Sequence, residues 1–157
     1  MEDLRRIVLF EHLPGQMLKQ LLPIVQNELF EERQVIYEAG SVAGRFYSLK
    51  RGKVLLQAEL SPTLVISLGA IKPGYSFGWS ALFASASHTS HAVCVEPCEI
   101  FVMPGDKFLA LLDQDHTLGH LVMQNMARIL ENRLERRSAQ FLNVITKHPE
   151  IARLLGL

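Results

Sequence analysis

The chain of 157 residues has only two cysteines, Cys94 and Cys98. Two thiols argue against a disulfide scaffold in a chain of this length and do not make a zinc site without further ligands. Buried core cysteines in a reducing, cytoplasmic setting are the expectation. An excess of charge is also missing: sixteen Lys and Arg balance sixteen Asp and Glu, a formal net charge of zero. Such a chain has no overall attraction to nucleic acid or anionic membrane, although a local basic patch is compatible with it. No apolar run approaches the roughly 18 residues of a membrane-spanning helix. The opening Met1-Glu2-Asp3-Leu4-Arg5-Arg6 lacks the form of a secretory signal. There is no low-complexity stretch, no internal repeat, and no nucleophile elbow, P-loop or Gly-x-Gly-x-x-Gly run. Each of those motifs would have pointed to an enzyme, and none is expected.

What is present is apolar material for one core: 48% of the residues are hydrophobic, and a single domain over 1–157 is expected. From Leu4 to about Val25, Leu4, Ile7, Val8, Met17, Leu18, Leu21 and Leu22 recur at helical spacing, and Pro14 suits a first helical turn. Two or three short helices are expected over 4–25. The texture then changes over 28–103 to short apolar or alternating runs. The candidate strands are Leu29–Arg33, Val35–Glu38, Arg45–Leu49, Lys53–Glu59, Thr63–Leu68, His91–Glu96 and Glu99–Met103. The breaks fall at Ala39-Gly40, Arg51-Gly52, Ser61-Pro62, Lys72-Pro73-Gly74 and Glu96-Pro97. Many short strands at this spacing predict a closed or sandwiched antiparallel sheet.

Helices return over 105–157. Phe108–Leu112 is short, and Asp115 can cap a longer helix reaching about Arg137. On it Leu118, Val122, Met126, Ile129 and Leu130 form a stripe that Leu121, Met123, Ala127 and Leu134 widen. A face this broad suits a helix packed on its own barrel and on a partner helix, as in a homodimer through 116–137; one generous monomer groove is the alternative. A short helix over Pro149–Leu155, ended by Gly156, completes the expectation.

The run from Ile36 through Gly40, Gly44 and Leu49 to Gly52 resembles the first signature of the cyclic-nucleotide-binding domain, the regulatory barrel of catabolite-activator/FNR-type proteins. Ser41 stands at the family's acidic position, and Ser48 interrupts its four apolar residues. Phe77-Gly78-Trp79-Ser80-Ala81-Leu82 is similar to the family's phosphate-binding cassette, and Asn125-Met126-Ala127-Arg128 to its C-terminal helix. The resemblance implies a mainly β fold with flanking helices, a double-stranded β-helix or jelly-roll barrel. It also implies a cyclic nucleotide (cAMP or cGMP) or another small anion as ligand.

In that family, backbone N–H groups at the start of the cassette helix cradle the phosphate, an arginine neutralises it, and a glutamate accepts from the ribose. Gly78 and Ser80-Ala81-Leu82 keep the backbone part. Trp79 stands at the glutamate position and offers a donor but no acceptor. The arginine position falls on His88, Thr89 or Ser90, and the loop Phe83–Ser87 holds no basic substitute. A buried charge without its partner costs about 3–5 kcal/mol, roughly 200- to 5,000-fold in affinity. Protonated His88 could recover part of that. Trp79 is therefore either a lid for a different ligand or a ring filling the vacated pocket.

Arg133 can reach a ligand under the long helix, or can belong with Arg128, Arg136 and Arg137 as ordinary cations near a helix C-terminus. The candidate site is thus Phe77–Leu82, His88, Thr89, Ser90 and Arg133. His116 and His120, four apart, could hold a metal or simply be solvated. About 20 residues follow Arg137, too few for a helix-turn-helix, so direct DNA binding is not expected. The expected function is a regulatory module that binds a small anionic effector and signals through its C-terminal helix to an unidentified protein partner. The alternatives are a ligand-free dimerisation or interaction scaffold and, third, a haem or metal sensor using His88, His91 or Cys94.

Overall fold

The apolar spacing at the N-terminus yields helix α1 (Glu2–Arg5), a 3₁₀ turn (Val8–Phe10), α2 (Gly15–Leu21) and a second 3₁₀ turn (Leu22–Ile24) in the computed structural model, which describes residues 1–83, 87–154 and 156. Residues 84–86 of the loop read for basic substitutes, and Leu155, lie outside the described residues. Eight strands follow: β1 (Gln26–Phe30), β2 (Val35–Tyr37), β3 (Arg45–Arg51), β4 (Val54–Ser61), β5 (Leu64–Ile71), β6 (Ser76–Phe77), β7 (His91–Cys94) and β8 (Cys98–Pro104). They form two four-stranded antiparallel sheets, in the orders β1-β8-β3-β6 and β2-β7-β4-β5. Helix α3 (Gly105–Gln114), the long α4 (His116–Lys147) and α5 (Pro149–Leu154) close the chain.

Side-chain alternation on β3 and β8 explains why these strands read as nearly unbroken apolar runs: both faces are covered. Phe46, Phe101 and Met103 turn to the helices and join Leu4, Phe10, Leu18, Phe108, Leu118, Val122 and Ile129 in one core. Tyr47, Leu49, Ile100 and Val102 turn the other way and join Val54, Ile71, Phe77, Ala92 and Cys94 inside the roll. Ser48, the interruption in the signature, is fully buried and exchanges a 2.8 Å hydroxyl contact with Ser76 of β6. A polar residue there is satisfied across the strand pair and needs no water.

Three expectations are corrected. The first strand ends at Phe30, not Arg33, because Glu31–Gln34 close a turn: Gln34 N–H donates to Glu31 O (3.1 Å), and the Gln34 amide oxygen accepts from Glu31 N–H (2.8 Å). β6 was missed, since two residues carry no readable period. The long helix passes Arg137 and runs to Lys147, because no helix breaker precedes Pro149. Its start is where the sequence put it: the Asp115 carboxylate accepts from Thr117 N–H (3.1 Å) and Leu118 N–H (3.0 Å).

Candidate functional site

The cassette begins at Gly78, whose φ of +73° is in the left-handed region and whose added Cβ would lie 2.6 Å from Tyr47 Cδ2. Only glycine fits both the angle and the contact. It caps a 3₁₀ turn (Trp79–Leu82) in which Ala81 N–H donates to Gly78 O at 3.1 Å. Ala81 and Leu82 drop into the helix-side core, which anchors the turn between β3 and α3. Phe77, fully buried, points into the roll and stacks on Tyr47, with centroids 5.2 Å apart. Ser80 is half-buried.

Trp79 does not fill the roll. Its ring packs on the helix side, edge-on to Phe46 at 5.1 Å, with the Arg133 guanidinium 5.5 Å from its centroid. Its Nε1–H is buried and has no partner among the described residues. Arg133 reaches across from α4, and its Nη2 donates to Ser76 O at 2.8 Å. Burial first, then the nearby Arg136 and Arg137, pull its pKa below the usual value. No carboxylate among the described residues pairs with it. A desolvated, unneutralised cation therefore sits against the cassette.

The three residues offered for the arginine's place lie in the bend before β7 and differ in burial. His88 and Ser90 are buried, and Thr89 is exposed. His88 lies flat on Tyr37, with centroids 3.6 Å apart and planes 9° apart. Burial lowers the His88 pKa, so the ring is neutral near pH 7 and cannot supply the missing positive charge. That removes the histidine substitute offered by the sequence.

Sequence reasoning missed Tyr37. Its ring is also 5.5 Å from Tyr47 and 6.2 Å from Phe77, and Gly78 and Ser90 are neighbours of its phenol. Burial is the main cause of a strongly raised phenol pKa. The available signal was a lone polar-tipped ring on a short strand just before the Gly40 turn. Tyr37, Tyr47 and His88 also line an open cleft of about 510 Å³ with Ser41, Val42 and Arg45. A second cleft of about 420 Å³ lies beside the β4–β5 hairpin, bounded by Thr89 and His91.

The residues offered for metal or haem do not converge. Among the described residues no group of three or more His, Cys, Asp or Glu could hold a metal ion. His91 Nδ1 accepts from Ala39 N–H at 3.4 Å, and His116 and His120 are exposed. Burial pushes the Cys94 thiol up to about 12, so it is protonated at neutral pH. No helix among the described residues is long and apolar enough to cross a membrane.

Known proteins share this architecture. The cyclic AMP receptor protein of Thermus thermophilus is 26% identical over 126 residues, 80% of this chain, which spans only 56% of that protein. The solved catabolite activator protein of Thermus thermophilus superposes with a TM-score of 0.72 at 26% identity, covering 88% of this chain and 63% of that one. A cyclic nucleotide-binding domain from Methylobacillus flagellatus gives 0.78 at 16% identity, covering 90% and 80%, a likeness of fold alone. The family model described as "cyclic nucleotide-binding domain" matches residues 27–115, from β1 through the cassette to the cap of α4. With the two-sheet roll, the Gly78 turn and the covering helix all in place, the chain belongs to the cyclic nucleotide-binding domain family.

Proposed function

We propose that this chain is a non-catalytic regulatory module in which a small anionic effector, received at the cassette, changes the position of α4. The observation that carries this reading is Arg133: one side chain from α4 touches both β6, at Ser76 O, and the cassette turn, at the Trp79 ring, with no carboxylate partner among the described residues. An anion arriving at the cassette competes with the Ser76 carbonyl for that guanidinium. Only a ligand that binds the two arrangements differently can shift the helix. Cyclic AMP and cyclic GMP are the first ligands to test, given the family and the name of the Thermus thermophilus relative.

The readout would pass to a second copy. Met123, Ala127, Leu130, Leu134, Phe141 and Val144 are exposed at alternating steps of four and three, interrupted by Arg137, away from the face buried on the roll. That is the seam of a two-stranded coiled coil. The module would then act on a further protein.

Calorimetric titration of cyclic AMP and cyclic GMP into wild type and Arg133→Ala tests the reading. Weak binding is expected in wild type, in the high-micromolar to millimolar range, and at least tenfold weaker binding in the variant. Equal affinities in the two proteins would remove Arg133 from the mechanism. The second reading, a ligand-free scaffold, is favoured by the packed rings of Tyr37, Tyr47, Phe77 and His88 inside the roll. Absence of binding by any nucleotide at millimolar concentration, with the dimer intact, would favour it.

A further inference from the structure

The rings inside the roll are placed in an order that bears on how an effector would enter. Tyr37 lies between the 510 Å³ cleft, which it lines, and the cassette. One face of its ring is covered by His88 at 3.6 Å, and Tyr47 and Phe77 pack around it at 5.5 and 6.2 Å. Its phenol neighbours Gly78 and Ser90, and its ring packs on Phe77, the residue that opens the cassette segment. The space beside the cassette is therefore taken up by a ring of the same chain. The strand holding that residue is short and weakly tied, since β2 has three residues, pairs with β7 alone and shifts register between Val35 and Tyr37.

We infer that Tyr37 is a built-in occupant of the effector site, whose ring stands between the cleft and the cassette until a ligand turns it out towards the cleft. The inference rests on the regulatory reading above and adds to it a gate with a specified residue. Tyr37 presents a flat ring ending in a neutral phenol, so it fills the space beside Phe77 and His88 without carrying charge. It leaves Arg133 unneutralised, so the guest able to displace it is one that supplies what the phenol lacks, a negative charge. A cyclic phosphodiester on a sugar and base meets that description. Inorganic phosphate carries the charge alone and tests whether the ring-sized remainder is needed.

The test uses the full chain. Cyclic AMP and, separately, inorganic phosphate are titrated into wild type, Tyr37→Ala, Tyr37→Leu and Arg133→Ala. Binding is followed by calorimetry and by the fluorescence of Trp79, the chain's single tryptophan. Tyr37→Ala is expected to bind cyclic AMP at least tenfold more tightly than wild type. Tyr37→Leu, which keeps much of the side-chain volume without the oxygen, is expected to gain less and guards against a poorly folded alanine variant. Equal affinities in wild type and both Tyr37 variants, lost together in Arg133→Ala, would overturn the gate and leave the regulatory reading standing. No binding of either ligand by any variant, with melting curves showing that all are folded, would overturn both.

Discussion

A few side chains decide what the cassette can accept. Tyr37 and Tyr47 both have raised phenol pKa values, chiefly from burial. An alkaline absorbance titration is expected to show two of the three tyrosines ionising late, and one late step should vanish in Tyr37→Phe. A buried acid with a raised folded value keeps its contribution below the unfolded pKa near 10 and loses it as pH climbs further, so stability should fall in that alkaline window. His88 works in the opposite direction. Its folded pKa is depressed by burial, so its contribution is full above about 6.5 and is lost as the unfolded chain protonates on acidification. Denaturant midpoints measured between pH 7.5 and 5 should drop in wild type and drop less in His88→Gln. Gly78→Ala combines a left-handed φ with a 2.6 Å clash, and each term costs on the order of 1–3 kcal/mol. Urea unfolding should register a loss of at least that size, and a neutral outcome would show the turn to be adaptable.

The elements show where a one-dimensional pattern is sufficient and where it fails. The α4 start was legible because a cap is a local device: Asp115 followed by an apolar stripe states its own geometry. Its register against α3 was not legible. Gly119 allows the approach, since an added Cβ would sit 2.6 Å from Leu112 O, and only the packed pair reveals that constraint. Gly119→Val is expected to push α4 off α3 and lower the melting temperature by several degrees, whereas Gly44→Ala, with open space around it, should leave it nearly unchanged. β6 escaped detection for a different reason. Two residues become a strand only because Tyr47 and Ser48 stand opposite them, and a partner far along the chain leaves no local trace.

On the scale of the whole molecule, α4 is a beam with two faces. Leu118, Val122, Met126 and Ile129 are buried on the body, and Asn125 Nδ2 ties the beam to Leu9 O and Glu11 O at 3.1 Å each. The other face is bare: Leu134 is 69% and Phe141 55% exposed in the single chain. The proposed dimer would bury that seam between two copies and so account for apolar residues that a solvated helix has no reason to carry. Analytical ultracentrifugation should find a dimer for wild type and a monomer for a Leu134→Glu, Phe141→Glu double variant with an intact roll. A dimer surviving that change would place the contact elsewhere.

The fold class was readable in the linear chain because periods, turn residues and caps act between near neighbours, and because the Gly40–Gly52 and Phe77–Leu82 segments carry backbone demands that few residues meet. The expectation that the cassette departs from the family pattern at Trp79 and at the arginine's place was also drawn there. Its consequence was not. Whether Trp79 plugs the roll, which of His88, Thr89 and Ser90 face inward, and where Arg133 and Tyr37 end up depend on side chains brought together from β2, β7 and α4. Burial and charge pairing are properties of that assembled environment, so tertiary packing alone determined which groups gather around the cassette.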